Sequence, residues 1–130
     1  MCKTITTLEK YRASYLGVSE TYALNAAVIP VDAVLSDLGY GTYMVGSCLT
    51  KKDYRDVDLR FIMKDEEFDR LFVKERSGLH LLFNVAISEW LQRRTNLPID
   101  FQVQRQTDCN REFKGQPRNA MGMIEGVNIK

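Results

Sequence analysis

Cysteine is scarce in this chain, and its three copies, Cys2, Cys48 and Cys109, stand far apart. An odd, widely spaced set builds neither a disulfide framework nor a zinc site, which predicts a reducing, cytoplasmic setting. An excess of one charge is also missing. Lys and Arg total 18 against 17 Asp and Glu, a net charge of +1, so the chain as a whole has no electrostatic bias towards nucleic acid. Nor is there a long apolar run. The longest, Ala26-Ala27-Val28-Ile29-Pro30-Val31, is far too short to span a bilayer. Residues 1–15 alternate polar and apolar positions without the apolar centre of a signal peptide. Internal repeats, linkers and low-complexity tracts are absent, and 130 residues suffice for one domain, 1–130, with its own core. Together these features predict a soluble cytoplasmic protein with no membrane partner.

What is present is patterning. Residues 5–27 have mixed polarity, with helical character around 19–24. The spacing of Val31, Val34, Leu35 and Leu38 predicts a helix over 31–38, with Pro30 in its first turn and Gly39 and Gly41 ending it. Thr42 to Val45 reads as a short strand, 48–54 as a loop or one helical turn, and 56–63 as a second strand. Asp65 is placed to cap a short helix through Phe72 that carries Phe68, Leu71 and Phe72 on one side. The clearest helix is 78–94, where Leu79, Leu82, Phe83, Ala86, Ile87, Trp90 and Leu91 form a stripe expected to face the core. Asn96 and Pro98 stop it, and Ile99 to Gln104 then alternates strictly. Residues 105–130 are polar and glycine-punctuated, as in an arm or lid. These elements predict an α/β (α+β) fold, a small mixed sheet with helices packed on one face.

The chemistry concentrates between residues 45 and 58. Alternate side chains of a strand share a face, so Asp56 and Asp58 should point one way and Val57 and Leu59 the other. Two carboxylates held side by side repel unless a positive charge sits between them, and a divalent cation is the usual solution. The same parity sends Ile99, Phe101 and Val103 to the core and leaves Asp100, Gln102 and Gln104 on the open face. Upstream, Gly46 lets phosphate approach the backbone, and Ser47 offers a hydroxyl and an N–H at the start of a turn. Lys51, Lys52 and Arg55 lie between that turn and the acidic pair, placed to neutralise phosphate. A two-metal site for phosphoryl chemistry needs several carboxylates, and Asp56, Asp58 and Asp100 supply three.

A hydrophobic residue followed by Gly46-Ser47, a short spacer, Asp56-Val57-Asp58-Leu59 and a later strand with a single Asp100 resembles the DNA polymerase β-like nucleotidyltransferase superfamily. The resemblance covers about 31–104, the catalytic core, and its nearest type is the minimal stand-alone nucleotidyltransferase, including small proteins carried by phages. It implies a polymerase β-like core and Mg²⁺-dependent (or Mn²⁺-dependent) transfer of a nucleoside monophosphate from an NTP to an acceptor hydroxyl. Pyrophosphate would be released, with Asp56, Asp58 and Asp100 as metal ligands. Many minimal members carry Arg close behind the Gly-Ser turn and Ser before the acidic pair, where this chain has Cys48 and Arg55; Lys51 or Lys52 would then hold phosphate. Gln116 to Gly122 is similar to an Arg-Asn-x-x-Gly segment of phage members, through Arg118 and Asn119. Candidate acceptors are an RNA end, tRNA, a protein hydroxyl or a small molecule. Their recognition falls to the tail, a dimer mate or a partner protein.

Other residues read as structural. His80 begins a helix beside the apolar stripe as a hydrogen-bonded core histidine, Trp90 belongs to the core, and Cys48 is a small packed side chain. Asp65, Glu66, Glu67 and Asp69 complement a helix dipole without a metal. On the residues alone, Arg118 and Asn119 are tail residues. A catalytically silent nucleotide-binding or regulatory module is the alternative to an enzyme. A metal-dependent nuclease is disfavoured by the Gly-Ser turn, which suits a triphosphate.

Overall fold

The computed structural model describes residues 14–74 and 77–122. Cys2, most of the 1–15 segment and the tail beyond Gly122 lie outside the described residues. Among the described residues, four helices and a four-stranded mixed sheet form the predicted α+β architecture.

The first helix, α1, spans Val18–Leu35, so Pro30 lies well inside it and not at its start. The helix expected at 31–38 is therefore the end of a much longer one. Tertiary burial overrides the breaker: Leu24, Ala27, Val28, Val31 and Leu35 are buried, a helical spacing that continues through the proline. Pro30 itself is exposed, where water can replace the hydrogen bond its ring removes. Glu20 Oε1 accepts from the Gly17 N–H at 2.9 Å and fixes the first turn. A short 3₁₀ turn at Ser36–Leu38 leads into strand β1, Gly39–Val45. Gly39 and Gly41 thus belong to a strand. Gly41 has φ of +104° within the register shift between Gly39 and Thr42, a bulge that favours glycine.

Strand β2 is Val57–Met63, helix α2 is Asp65–Phe72, helix α3 is Gly78–Thr95 and strand β3 is Ile99–Arg105. Helix α4, Gln106–Glu112, and the two-residue strand β4, Asn119–Ala120, complete the fold. The strand order is β3-β2-β1-β4, with β2 and β3 parallel and the other pairs antiparallel. The segment expected as an arm is tied to the body, since β4 pairs with Tyr43 and Met44 and Met121 enters the core.

Parity along β2 and β3 holds. Val57, Leu59, Phe61, Met63, Ile99, Phe101 and Val103 are buried against α1, α2 and α3 in one apolar core. The opposite face carries Asp58 and Arg60, then Ile62, which packs with Val45, Cys109 and Phe113 under α4. One helix therefore joins the second face, at its far end, and leaves the end with the acidic residues open. Asp65 is the first residue of α2 and not its cap. Its carboxylate accepts from the Thr107 N–H at 3.1 Å and from the Thr107 hydroxyl, joining α2 to α4. Arg105 makes a two-pronged bond to Asp69, at 2.9 and 3.0 Å, and lies 3.8 Å from Asp65. Asp65 and Asp69 are thus engaged by Arg105 and Thr107.

Helix α3 differs most from its pattern. Leu79 and Leu82 are 56% and 65% exposed, and Phe83, Ile87 and Trp90 are half-buried. The residues it buries are His80, Asn84 and Leu91. The reason lies at the edge of the sheet, where among the described residues β3 has no strand beyond it and its outward N–H and C=O groups need partners. A row at every fourth position of α3 supplies them. His80 Nε2 donates to Val103 O at 2.6 Å, and Asn84 Oδ1 accepts from Val103 N at 2.9 Å. Ser88 Oγ accepts from Phe101 N at 2.9 Å and donates to Phe101 O at 3.1 Å, and Gln92 Nε2 donates to Ile99 O at 2.8 Å. With this polar row turned inward, the apolar stripe faces α1 and solvent, where it lines a groove of about 400 Å³ with Pro30, Val31 and Val34. No helix among the described residues is long and apolar enough to cross a membrane.

Candidate active site

Strand β1 ends at Val45 and the chain turns at once through a 3₁₀ segment, Gly46–Leu49. Gly46 adopts φ of +79°, and a Cβ there would collide with the Asp58 carboxylate. The turn is closed by Ser47 O, which accepts from Thr50 N at 3.0 Å and Lys51 N at 2.7 Å. Cys48 is fully buried, and its carbonyl accepts from Tyr15 N at 2.9 Å. Burial pushes the Cys48 thiol up to about 11, with Asp58 and Glu20 adding to the effect. It is a packed thiol and no nucleophile at neutral pH.

The sheet register brings two of the three acids together. Asp58 pairs with Val45 on one side and with Asp100 on the other, the latter across the parallel β2–β3 ladder. Neighbouring strands lie about 5 Å apart, so residues in register on them are neighbours on one face. Asp58 is half-buried, and that burial raises its pKa. Arg60 opposes the rise, while Asp100, Asp56 and Glu112 add to it. Asp100 is more open, and Gln102 Nε2 donates to its two oxygens at 3.4 and 3.3 Å. Asp56 is exposed and precedes β2, which starts at Val57; the strand expected from 56 is one residue shorter. Asp56 is close enough to act on Asp58 but is not fixed by the ladder. Among the described residues, no three His, Cys, Asp or Glu side chains are already grouped so as to hold a metal ion.

Lys51, Lys52 and Arg55 are exposed on the loop between the turn and β2, and none forms an ion pair with Asp56, Asp58 or Asp100. The basic group that does meet the acidic face is Arg60, which the sequence reading passed over. Its side chain is 8% exposed, and Nη2 lies 4.0 Å from Asp100 Oδ2. Nη1 donates to the Leu59 and Asp100 carbonyls at 3.0 and 3.3 Å. The guanidinium lies 5.7 Å from the centre of the Phe113 ring, and Nε is buried without a partner. A signal for it existed, because Arg60 shares the parity of Asp56 and Asp58. Arg118 is half-buried and acts electrostatically on Cys109, as Arg60 does, while Asn119 is held in β4 opposite Met44.

Beside Asp100 a cleft of about 370 Å³ runs between α3 and the edge of β3, lined in part by Ser88, Glu89, Gln92 and Gln102. The open end of the sheet thus combines a glycine turn, two facing carboxylates, a third at the strand entrance and a buried guanidinium. Family models, curated proteins and solved structures give no match to this chain.

Proposed function

We propose that this end of the sheet carries out nucleotidyl transfer, in the manner of the DNA polymerase β-like superfamily that the sequence resembles. The observation that carries the reading is the closure of the Gly46 turn onto Asp58, with Asp100 in register opposite. The donor set fits a hard divalent cation in kind, because such ions take carboxylate oxygens and would relieve the repulsion that Asp100 and Asp56 exert on Asp58. The ligands are gathered by that cation and not before it. Mg²⁺ or Mn²⁺, when bound by Asp56, Asp58 and Asp100, would offset charge on the triphosphate and on the attacking and leaving oxygens.

The chain's own residues have distinct roles in this reading. The Gly46-Ser47 turn accepts triphosphate against its backbone, and Lys51, Lys52 and Arg55 close over it from their loop. The acceptor hydroxyl oxygen bonds to the α-phosphorus and its proton passes to Asp100. The bond from that phosphorus to the bridging oxygen breaks, and pyrophosphate leaves with the electron pair. The acceptor class is open, from an RNA end or tRNA to a protein hydroxyl or a small molecule, as is supply of its binding surface by a second copy or a partner protein.

Incubation with each labelled NTP, Mg²⁺ and cell extract tests the proposal. The expected result is a labelled acceptor with one pyrophosphate released per label. Tight NTP binding with no pyrophosphate would establish the alternative, a silent nucleotide-binding or regulatory module. Cleavage of added oligonucleotides without any NTP would establish a nuclease.

A further inference from the structure

We propose that Arg118 binds the departing pyrophosphate, at the opposite end of the site from Asp100. The inference rests on the nucleotidyl-transfer reading and gives that site a direction. Strand β4 pairs Ala120 with Tyr43 and Asn119 with Met44, and the next step of this antiparallel ladder sets Arg118 beside Val45. Val45 in turn pairs with Asp58, and Asp58 with Asp100. Asp100, Asp58, Val45 and Arg118 therefore form one row across the sheet. They also share a face. Met121 enters the apolar core, so strand alternation turns Arg118, three residues earlier, to the other side, where Asp58 lies. An independent observation agrees: Arg118 acts electrostatically on Cys109, which packs with Val45 on that second face.

Asp58 and Arg118 stand two strand spacings apart, about 10 Å, and the Gly46 turn starts from Val45 between them. A triphosphate lying over the turn, with its α-phosphorus at the acids, extends its other two phosphates towards Arg118. The turn has no cation of its own, since Gly46, Ser47, Cys48 and Leu49 are uncharged. Lys51, Lys52 and Arg55 are exposed on a loop, whereas the Arg118 segment is tied down on both sides. Gln116 N donates to Phe113 O at 3.0 Å, Met121 N to Thr42 O at 2.8 Å and Gly122 N to Asn25 Oδ1 at 2.8 Å. Among the described residues Arg118 is also uncommitted. Arg70, Arg93, Arg105 and Arg111 each pair with a carboxylate and Arg94 lies over the Trp90 ring, but half-buried Arg118 does neither. Glu112 also bears on Cys109, but its carboxylate accepts from Gln104 at 2.7 Å. A guanidinium held half out of water with no carboxylate partner suits two phosphate oxygens. As the bond from the α-phosphorus to the bridging oxygen breaks, the electron pair leaves on pyrophosphate. Arg118 offsets that charge and exchanges no proton.

The test is calorimetric titration of the full chain with inorganic pyrophosphate and Mg²⁺, run beside label transfer from each NTP. Wild type is expected to bind pyrophosphate, and Arg118→Gln to bind it about tenfold more weakly or worse. Arg118→Lys, which keeps the charge but loses the fork, should fall between them. Lys114→Gln removes an exposed charge from the same segment and should match wild type. Circular dichroism establishes that each variant is folded, and Arg118→Met replaces the glutamine variant if that one is not. No pyrophosphate binding by wild type, or unchanged affinity in a folded neutral variant, overturns the proposal. So does equal loss in Lys114→Gln, the mark of a general charge effect, or in Arg118→Lys, the mark of a structural arginine. Each of these results, with label transfer intact, leaves nucleotidyl transfer standing. Pyrophosphate binding that depends on Arg118, with no label transferred from any NTP, overturns nucleotidyl transfer and the leaving-group role together.

Discussion

The Asp58 carboxylate fills the space that a side chain on Gly46 would need, so the turn after β1 and the acid on β2 cannot be varied independently. This contact joins the proposed phosphate turn to the proposed metal ligand. Gly46→Ala meets two penalties at once, a backbone at φ of +79° and a methyl group against Asp58. It should lower stability by about 1–3 kcal/mol and displace the carboxylate. Urea denaturation measures the first effect. Loss of nucleotide-dependent labelling in protein that remains folded measures the second.

Helix α3 provides a contrast within one stripe. Leu91 is fully buried and Leu82 is 65% exposed, although both belong to the same apolar periodicity. Leu91→Ala should cost about 2–5 kcal/mol in chemical denaturation. Leu82→Ala should stay within about 0.5 kcal/mol of wild type.

The polar row of α3 makes a separate prediction. Ser88 serves both the N–H and the C=O of Phe101, so Ser88→Ala orphans two backbone groups on the sheet edge. A loss of about 1–3 kcal/mol is expected. Amide exchange should speed up most at Phe101, and a uniform change across the sheet would contradict the local role.

These three variants of α3 show where the sequence was legible and where it was not. Strand parity was readable because its period is two and the core face of β2 and β3 is apolar throughout, which put Asp58 and Asp100 together on the opposite face. Helix faces were harder. His80, Asn84, Ser88 and Gln92 recur every four residues, but polar residues on a helix read as solvent-facing unless a neighbouring strand is known to lack a partner. That β3 is an edge is a property of the whole topology and of no local window. Pro30 misled for a similar reason, since the burial of Leu24 to Leu35 outweighs a local breaker. Arg60 was visible by parity, but a charged residue in mid-strand gave no sign that Phe113, more than fifty residues later, would cover it.

A pH dependence follows from Asp32, outside the site. Burial raises its pKa above the ordinary 3.8, opposed by hydrogen bonds from Thr42, whose hydroxyl donates to Oδ1 at 2.6 Å. A carboxyl raised on folding favours the native state while protonated, and that stability is lost as pH climbs through the raised value. Asp32→Asn retains an oxygen for Thr42 and removes the charge. It should therefore be more stable than wild type at pH 7, and the difference should vanish below 3.8. Urea midpoints for the two proteins at pH 3 and pH 7 check both the sign and the window.

The central claim is that Asp58 serves chemistry at the expense of the fold, and one substitution tests it most directly. Asp58→Asn keeps the side chain's shape beside Gly46 and removes a half-buried carboxylate that burial and its acidic neighbours disfavour. The measurement is label transfer from NTP with Mg²⁺, alongside thermal unfolding of the same samples. Transfer should fall by about 10²-fold or more while the melting temperature holds or rises. Full transfer by a folded Asp58→Asn protein would contradict the account.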